Sequence, residues 1–118
     1  MLQAIKLMHD IANDHITVNG KAPEGYGEFG YDKTNLIPVR GLMGATAYLS
    51  KLQTNKGDNL EYSRIGQAMA LNIDNPVDMY EIRVNGEFHC KLFFCAYYKT
   101  MSNVAPKGFR WSLRNDFI

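Results

Sequence analysis

Cysteine is scarce in this chain: Cys90 and Cys95 are the two it has. They stand five apart in what reads as one strand, where an odd separation turns side chains to opposite faces, so they cannot pair with each other. Two free thiols fit a reducing compartment and set the chain apart from small disulfide-stapled secreted domains. Long apolar runs are missing as well. No uncharged stretch reaches the roughly 18 residues that cross a bilayer, and Lys6, His9, Asp10 and Asp14 interrupt the opening segment where a secretion signal is apolar. The expectation is a cytoplasmic protein with no membrane partner. A net charge of +1 also gives no general reason to expect nucleic acid or a membrane surface.

What is present is ordinary globular usage, with 46% apolar and 21% charged residues in a 118-residue chain, which predicts one domain with one core. Charge is unevenly spread. Residues 1–87 hold eight Lys and Arg against eleven Asp and Glu, whereas residues 88–118 hold five against one.

Leu2, Ile5, Met8, Ile11 and Ala12 recur at helical intervals and predict a first helix over 2–13. Residues 20–41 combine glycines and two prolines with Tyr26, Phe29 and Tyr31, and predict a long loop pinned by its aromatics, with a short extended piece at 36–39 before and after Pro38. Leu42, Ala45, Leu49 and Leu52 share one helical face and predict a second helix over 42–53 whose start lacks a capping side chain. A strand over 60–65 follows, then an ambiguous stretch to Pro76. Phe109, Trp111 and Leu113 alternate like a last strand.

Two β-prone runs, 77–84 and 88–98, flank Asn85-Gly86 and predict a hairpin over 77–98. A regular two-residue loop sets apolar residues against polar ones, pairing Ile82 with His89. A three-residue loop with a bulge at Gly86 pairs Ile82 with Phe88 and Tyr80 with Cys90, and is the register expected. One face then carries Tyr80, Ile82, Phe88, Cys90, Leu92, Phe94 and Ala96. The other is polar near the turn, with Glu81, Arg83, His89 and Lys91, and apolar beyond it.

Several short patterns invite a chemical reading. Gly25 to Gly30 spells G-x-G-x-x-G, which cradles phosphate when it joins a strand to a helix, but no helical pattern starts at Gly30, so it is read as a glycine-rich loop. His9 and His15 stand six apart, where zinc-binding helices use three or four, and no metal site or cofactor is expected. His89 and Cys90 point to opposite faces of a strand and cannot form a nucleophile and base. Lys107, Arg110 and Arg114 interleave with Phe109 and Trp111, a mixture found where single-stranded nucleic acid stacks, and equally in a closing strand with solvated cations or in a protein-binding surface. Arg40 and Arg64 each stand beside a glycine in apolar surroundings, placed to reach a carboxylate or an anionic ligand.

Together these readings predict an α+β fold, two helices packed on one antiparallel sheet of three to five strands around the central hairpin. The expected function is that of a small non-enzymatic binding protein of the accessory, inhibitor or immunity type. It would act on another protein or on a second copy of itself through the aromatic, glycine-rich loop and the sheet surface. Its binding residues would be drawn from Tyr26, Phe29, Tyr31, Arg40, Arg64, His89, Arg110 and Trp111. The alternatives are a small enzyme with a pocket between the 20–41 loop and the sheet, and nucleic-acid binding through the basic C-terminal segment.

Overall fold

The computed structural model of the chain describes residues 27–112. Among them, a 3-10 turn (Lys33–Asn35) leads into β1 (Ile37–Pro38), then α1 (Gly44–Leu49) and β2 (Leu52–Thr54). Three long strands follow, β3 (Glu61–Ala68), β4 (Val77–Val84) and β5 (Glu87–Cys95), and β6 (Phe109–Trp111) comes last. The main sheet has the order β1-β5-β4-β3, with β1 parallel to β5 and the other pairs antiparallel. β2 and β6 form a separate antiparallel pair. No helix among the described residues is long and apolar enough to cross a membrane.

This corrects the α+β expectation: the described chain is mostly sheet, with one six-residue helix and a 3-10 turn. The helix expected over 2–13 lies outside the described residues. That expected over 42–53 is cut at both ends. Leu42 is 94% exposed ahead of α1, and Leu52 leaves the helical face to pair with Trp111 in β2. Leu52-Gln53-Thr54 alternates buried and half-buried positions, a strand period that Phe109-Arg110-Trp111 matches across the ladder. As expected, the helix start has no side-chain cap.

The hairpin forms where expected, although β5 ends at Cys95, short of residue 98, and the expected three-residue loop with Ile82 opposite Phe88 and Tyr80 opposite Cys90 is not the register found. Val84 pairs with Glu87 across a two-residue loop, with Asn85 at φ 53° and Gly86 at φ 80°. Both central residues are left-handed, which suits the twist of a tight hairpin. The register then shifts, Arg83 opposing Phe88 and Ile82 opposing Cys90, so that His89 is the extra residue of a bulge. The bulge restores apolar-to-apolar pairing, with Tyr80 opposite Leu92 and Met79 opposite Phe93. The expected core face therefore holds for Tyr80, Ile82, Leu92 and Phe94, while Phe88, next to the turn, is solvent-exposed.

Those four side chains pack against Ala45, Tyr48 and Leu49 of α1, Leu52 of β2 and Phe109 of β6, forming the larger core. Tyr48 is its centre: its ring meets Phe94 and Trp111 edge-on, with centroids 5.5 and 5.0 Å away, and its hydroxyl donates to the Val104 carbonyl. A fully buried side chain of this kind stabilises by about 1.5–3 kcal/mol. The opposite face of the sheet carries a second cluster in which Leu36, Ala70 and Ile73 cover Val77, Cys95 and Tyr98. Cys95 and Phe93, in the apolar far half of that face, are thus covered from within the chain, while Tyr97 stays exposed. Cys90 borders the first cluster and Cys95 belongs to the second, both as free thiols on opposite faces.

Candidate functional site

The core layer does not extend to the far end of β4. There, Asp78 occupies the same face as Tyr80 and Ile82, two and four residues along the strand, so a carboxylate stands where the alternation elsewhere places apolar groups. β3 supplies its neighbours. Arg64 opposes Tyr80, and a bulge at Ile65 shifts the register so that Gly66 opposes Met79 and Gln67 opposes Asp78. Residues three apart on a regular strand point to opposite faces; the extra residue turns Arg64 and Gln67 to the same one.

The two converge on Asp78. Arg64 Nε donates to Asp78 Oδ1 at 3.1 Å and Gln67 Nε2 donates to the same oxygen at 3.3 Å. Gly41 and Leu42, at the end of the long loop, and Ala96 and Tyr97, just past β5, close a groove of about 340 Å³ over this trio, with Tyr80 in its wall. The loop end is fixed there by Gly41 N donating to the Ala96 carbonyl at 3.0 Å. Tyr80 is 7% exposed, and burial, reinforced by the Asp78 carboxylate, pushes its hydroxyl above the usual tyrosine range. It therefore stays a proton donor at neutral pH. Leu42 (94% exposed) and Tyr97 (58% exposed) set apolar surface in solvent at its edge.

Two other cavities lie elsewhere. One of about 410 Å³ is lined by Lys56, Asp58, Glu87 and His89 beside the hairpin turn. The other, of about 230 Å³, lies between Tyr48, Met101 and Trp111.

The residues singled out in the sequence are spread over these places. Arg64 lies in the groove, with Tyr80 and Tyr97 as tyrosine company. Arg40 is exposed beside it, bridged through the backbone to Tyr97. His89 does not join Glu81, Arg83 and Lys91: the bulge turns it to the core side, where its ring meets Phe109 at 5.6 Å. Phe29 is buried in the larger core. Tyr31 donates to the Lys107 carbonyl at 2.5 Å and packs on Phe109, pinning the loop to the segment before β6. Arg110 is exposed on β6, and Trp111 is engaged by Tyr48 and by its own Nε1 donating to the Asn103 carbonyl at 3.2 Å. Tyr26 and Arg114 lie outside the described residues, as do His9 and His15. In the described part of the G-x-G-x-x-G pattern, Gly27 and Gly30 have positive φ and lead into a 3-10 turn, not a phosphate-cradling helix.

Sequence reasoning missed Gln67, Asp78 and Leu42 as parts of a site. The trace of Asp78 was visible, a charge at a core-face position of the best-defined strand. Neither thiol has the electropositive, open setting of a reactive cysteine; burial pushes both Cys90 and Cys95 up to about 11. Among the described residues no group of three or more His, Cys, Asp or Glu is placed to hold a metal ion. The chain matches no protein-family model, no curated protein and no solved structure.

Proposed function

We propose that this chain is a small binding protein that engages a partner protein through the groove where the long loop meets the sheet. The observation that carries this reading is the composition of the rim. Leu42 and Tyr97 hold large apolar surfaces in water beside a polar floor in which Arg64 and Gln67 are oriented by Asp78. Large apolar side chains grouped in water mark a surface that a partner covers, and a few such anchors dominate binding energy once they are desolvated. Burying one such rim side chain in a partner contributes about 1.5–3 kcal/mol. Tyrosine serves well because its rigid ring loses little entropy when it is covered.

A photo-crosslinking residue placed at Leu42 in the native host tests the reading, with the same residue at Asn55, exposed on another part of the surface, as control. The expected result is one discrete adduct with a different protein from Leu42, lost on Tyr97→Ala and absent from Asn55. Equal labelling at both positions, or none at Leu42, overturns it. An adduct between two copies of the chain overturns the partner reading in favour of self-association.

A further inference from the structure

Two hydrogen-bond donors face the groove with no acceptor among the described residues. Arg64 is held through Nε alone, by Asp78 Oδ1 at 3.1 Å, and neither of its terminal nitrogens bonds to another described residue. Its side chain is 47% exposed. A guanidinium anchored in this way keeps one edge as a planar fork, whose spacing suits the two oxygens of a carboxylate. The hydroxyl of Tyr80 is the second donor. Its ring is fixed edge-on against Phe94, with centroids 5.3 Å apart, and it lines the groove opposite Arg64 on the neighbouring strand. Its oxygen makes no hydrogen bond to another described residue and is not among the sealed polar atoms.

The lining itself is balanced in charge, Asp78 offsetting Arg64, and the exposed Arg40 stands next in the chain to Gly41 with its backbone bridged to Tyr97. Asp78 itself is committed, accepting from Arg64 and Gln67 on one oxygen. Leu42, Ala96 and Tyr97 flank the donors with apolar surface.

Building on the partner-protein reading above, we infer that the groove takes the carboxylate of an acidic side chain on the partner, bound by the Arg64 fork and the Tyr80 hydroxyl, with a large apolar neighbour of that residue resting on Leu42 and Tyr97. Asp78 and Gln67 then act as positioning residues that fix the fork.

NMR titration of the full chain with two peptides tests this: acetyl-Phe-Glu-Leu-amide and its twin acetyl-Phe-Gln-Leu-amide. The Glu peptide is expected to move the Arg64 Nε resonance and the Leu42 and Tyr97 amides saturably. It should bind ~10-fold or more tightly than the Gln peptide, the factor expected when a charge-assisted hydrogen-bonded pair is lost. Arg64→Gln should erase that preference and Tyr80→Phe should reduce it. The comparison of the two peptides on the unsubstituted protein stands even if a variant folds poorly. Equal binding of both peptides at this groove overturns the carboxylate while leaving the partner reading intact. Sodium acetate binding as tightly as the Glu peptide overturns the peptide source and assigns the site to a small free carboxylate. No shift from either peptide overturns the inference, and the crosslink from Leu42 then decides the partner reading separately.

Discussion

Gly44 lies so close to Val39 that a Cβ added to it would stand 2.9 Å from the Val39 Cβ. Val39 is fully buried in the larger core, between β1 and the start of α1. Helix propensity alone favours Gly44→Ala, by less than the roughly 1 kcal/mol of an interior position because Gly44 is the first helical residue. The contact opposes it, because a core this close cannot absorb a methyl group without shifting backbone or rotamers, at a cost of about 1–3 kcal/mol. The expected outcome in urea denaturation is a net loss of stability. A stabilised Gly44→Ala protein would show that Val39 yields freely.

The hairpin turn gives a cleaner backbone test. A side chain at Gly86 meets nothing within 4 Å, so Gly86→Ala costs only the left-handed conformation, about 1–2 kcal/mol. Asn85→Gly, at φ 53°, should change the thermal midpoint little, since asparagine already tolerates that region. Equal effects of the two substitutions would contradict the two-residue loop.

Tyr48 and Tyr98 are both buried, yet their hydroxyls differ. Tyr48 donates to the Val104 carbonyl, whereas the Tyr98 oxygen is enclosed with no hydrogen-bond partner among the described residues. Tyr48→Phe should therefore destabilise by about 1 kcal/mol, while Tyr98→Phe removes an unpaid desolvation cost and should be neutral or stabilising by about 1 kcal/mol. Chemical denaturation of the two variants side by side reads the contrast, and a destabilised Tyr98→Phe would reveal an acceptor for that hydroxyl.

Burial holds the protons of Cys90 and Cys95 up to about 11, against an ordinary thiol value of 9.0. Burial likewise raises Tyr48 and Tyr98. These groups are neutral when protonated, so the folded chain keeps protons that the unfolded chain releases first. Stability is complete below about pH 9 and falls as pH rises toward 11. Urea midpoints measured from pH 7 to pH 10.5 should decline. A flat midpoint across that range would show these groups to be solvated. Slow modification by a thiol reagent at pH 8 is expected for the same reason.

How much of this was legible depends on the range of the interactions involved. The extent of β4, the burial of Tyr80, Ile82, Leu92 and Phe94, and the separation of Cys90 from Cys95 follow from the sequence alone, whereas the end of β5 at Cys95 does not. A strand's two-residue period and an Asn-Gly turn are local properties of the chain. Even the conflict between turn and register was readable in the pairing of Ile82 with His89. Its resolution was not: a bulge at His89 and a longer loop restore the same parity in registers two residues apart, and the structure takes the bulge, which sets Ile82 opposite Cys90 and not Phe88 and packs His89 against Phe109.

The tertiary structure decided the rest. Leu49 and Leu52 suit a helical face and a strand equally well; the ladder to Phe109–Trp111, more than fifty residues away in the chain, ends the helix and makes Leu52 a strand residue. Leu36 to Val39 were readable as extended, but their parallel seat on β5 depends on a neighbour the local sequence does not specify. The groove is of the same kind. Arg64 and Gln67 share a face only through the bulge at Ile65, and they meet Leu42 and Tyr97 only once three separate segments have been brought together. Residue type and spacing set each strand's two faces, but which faces meet is fixed by long-range contacts that no local pattern encodes.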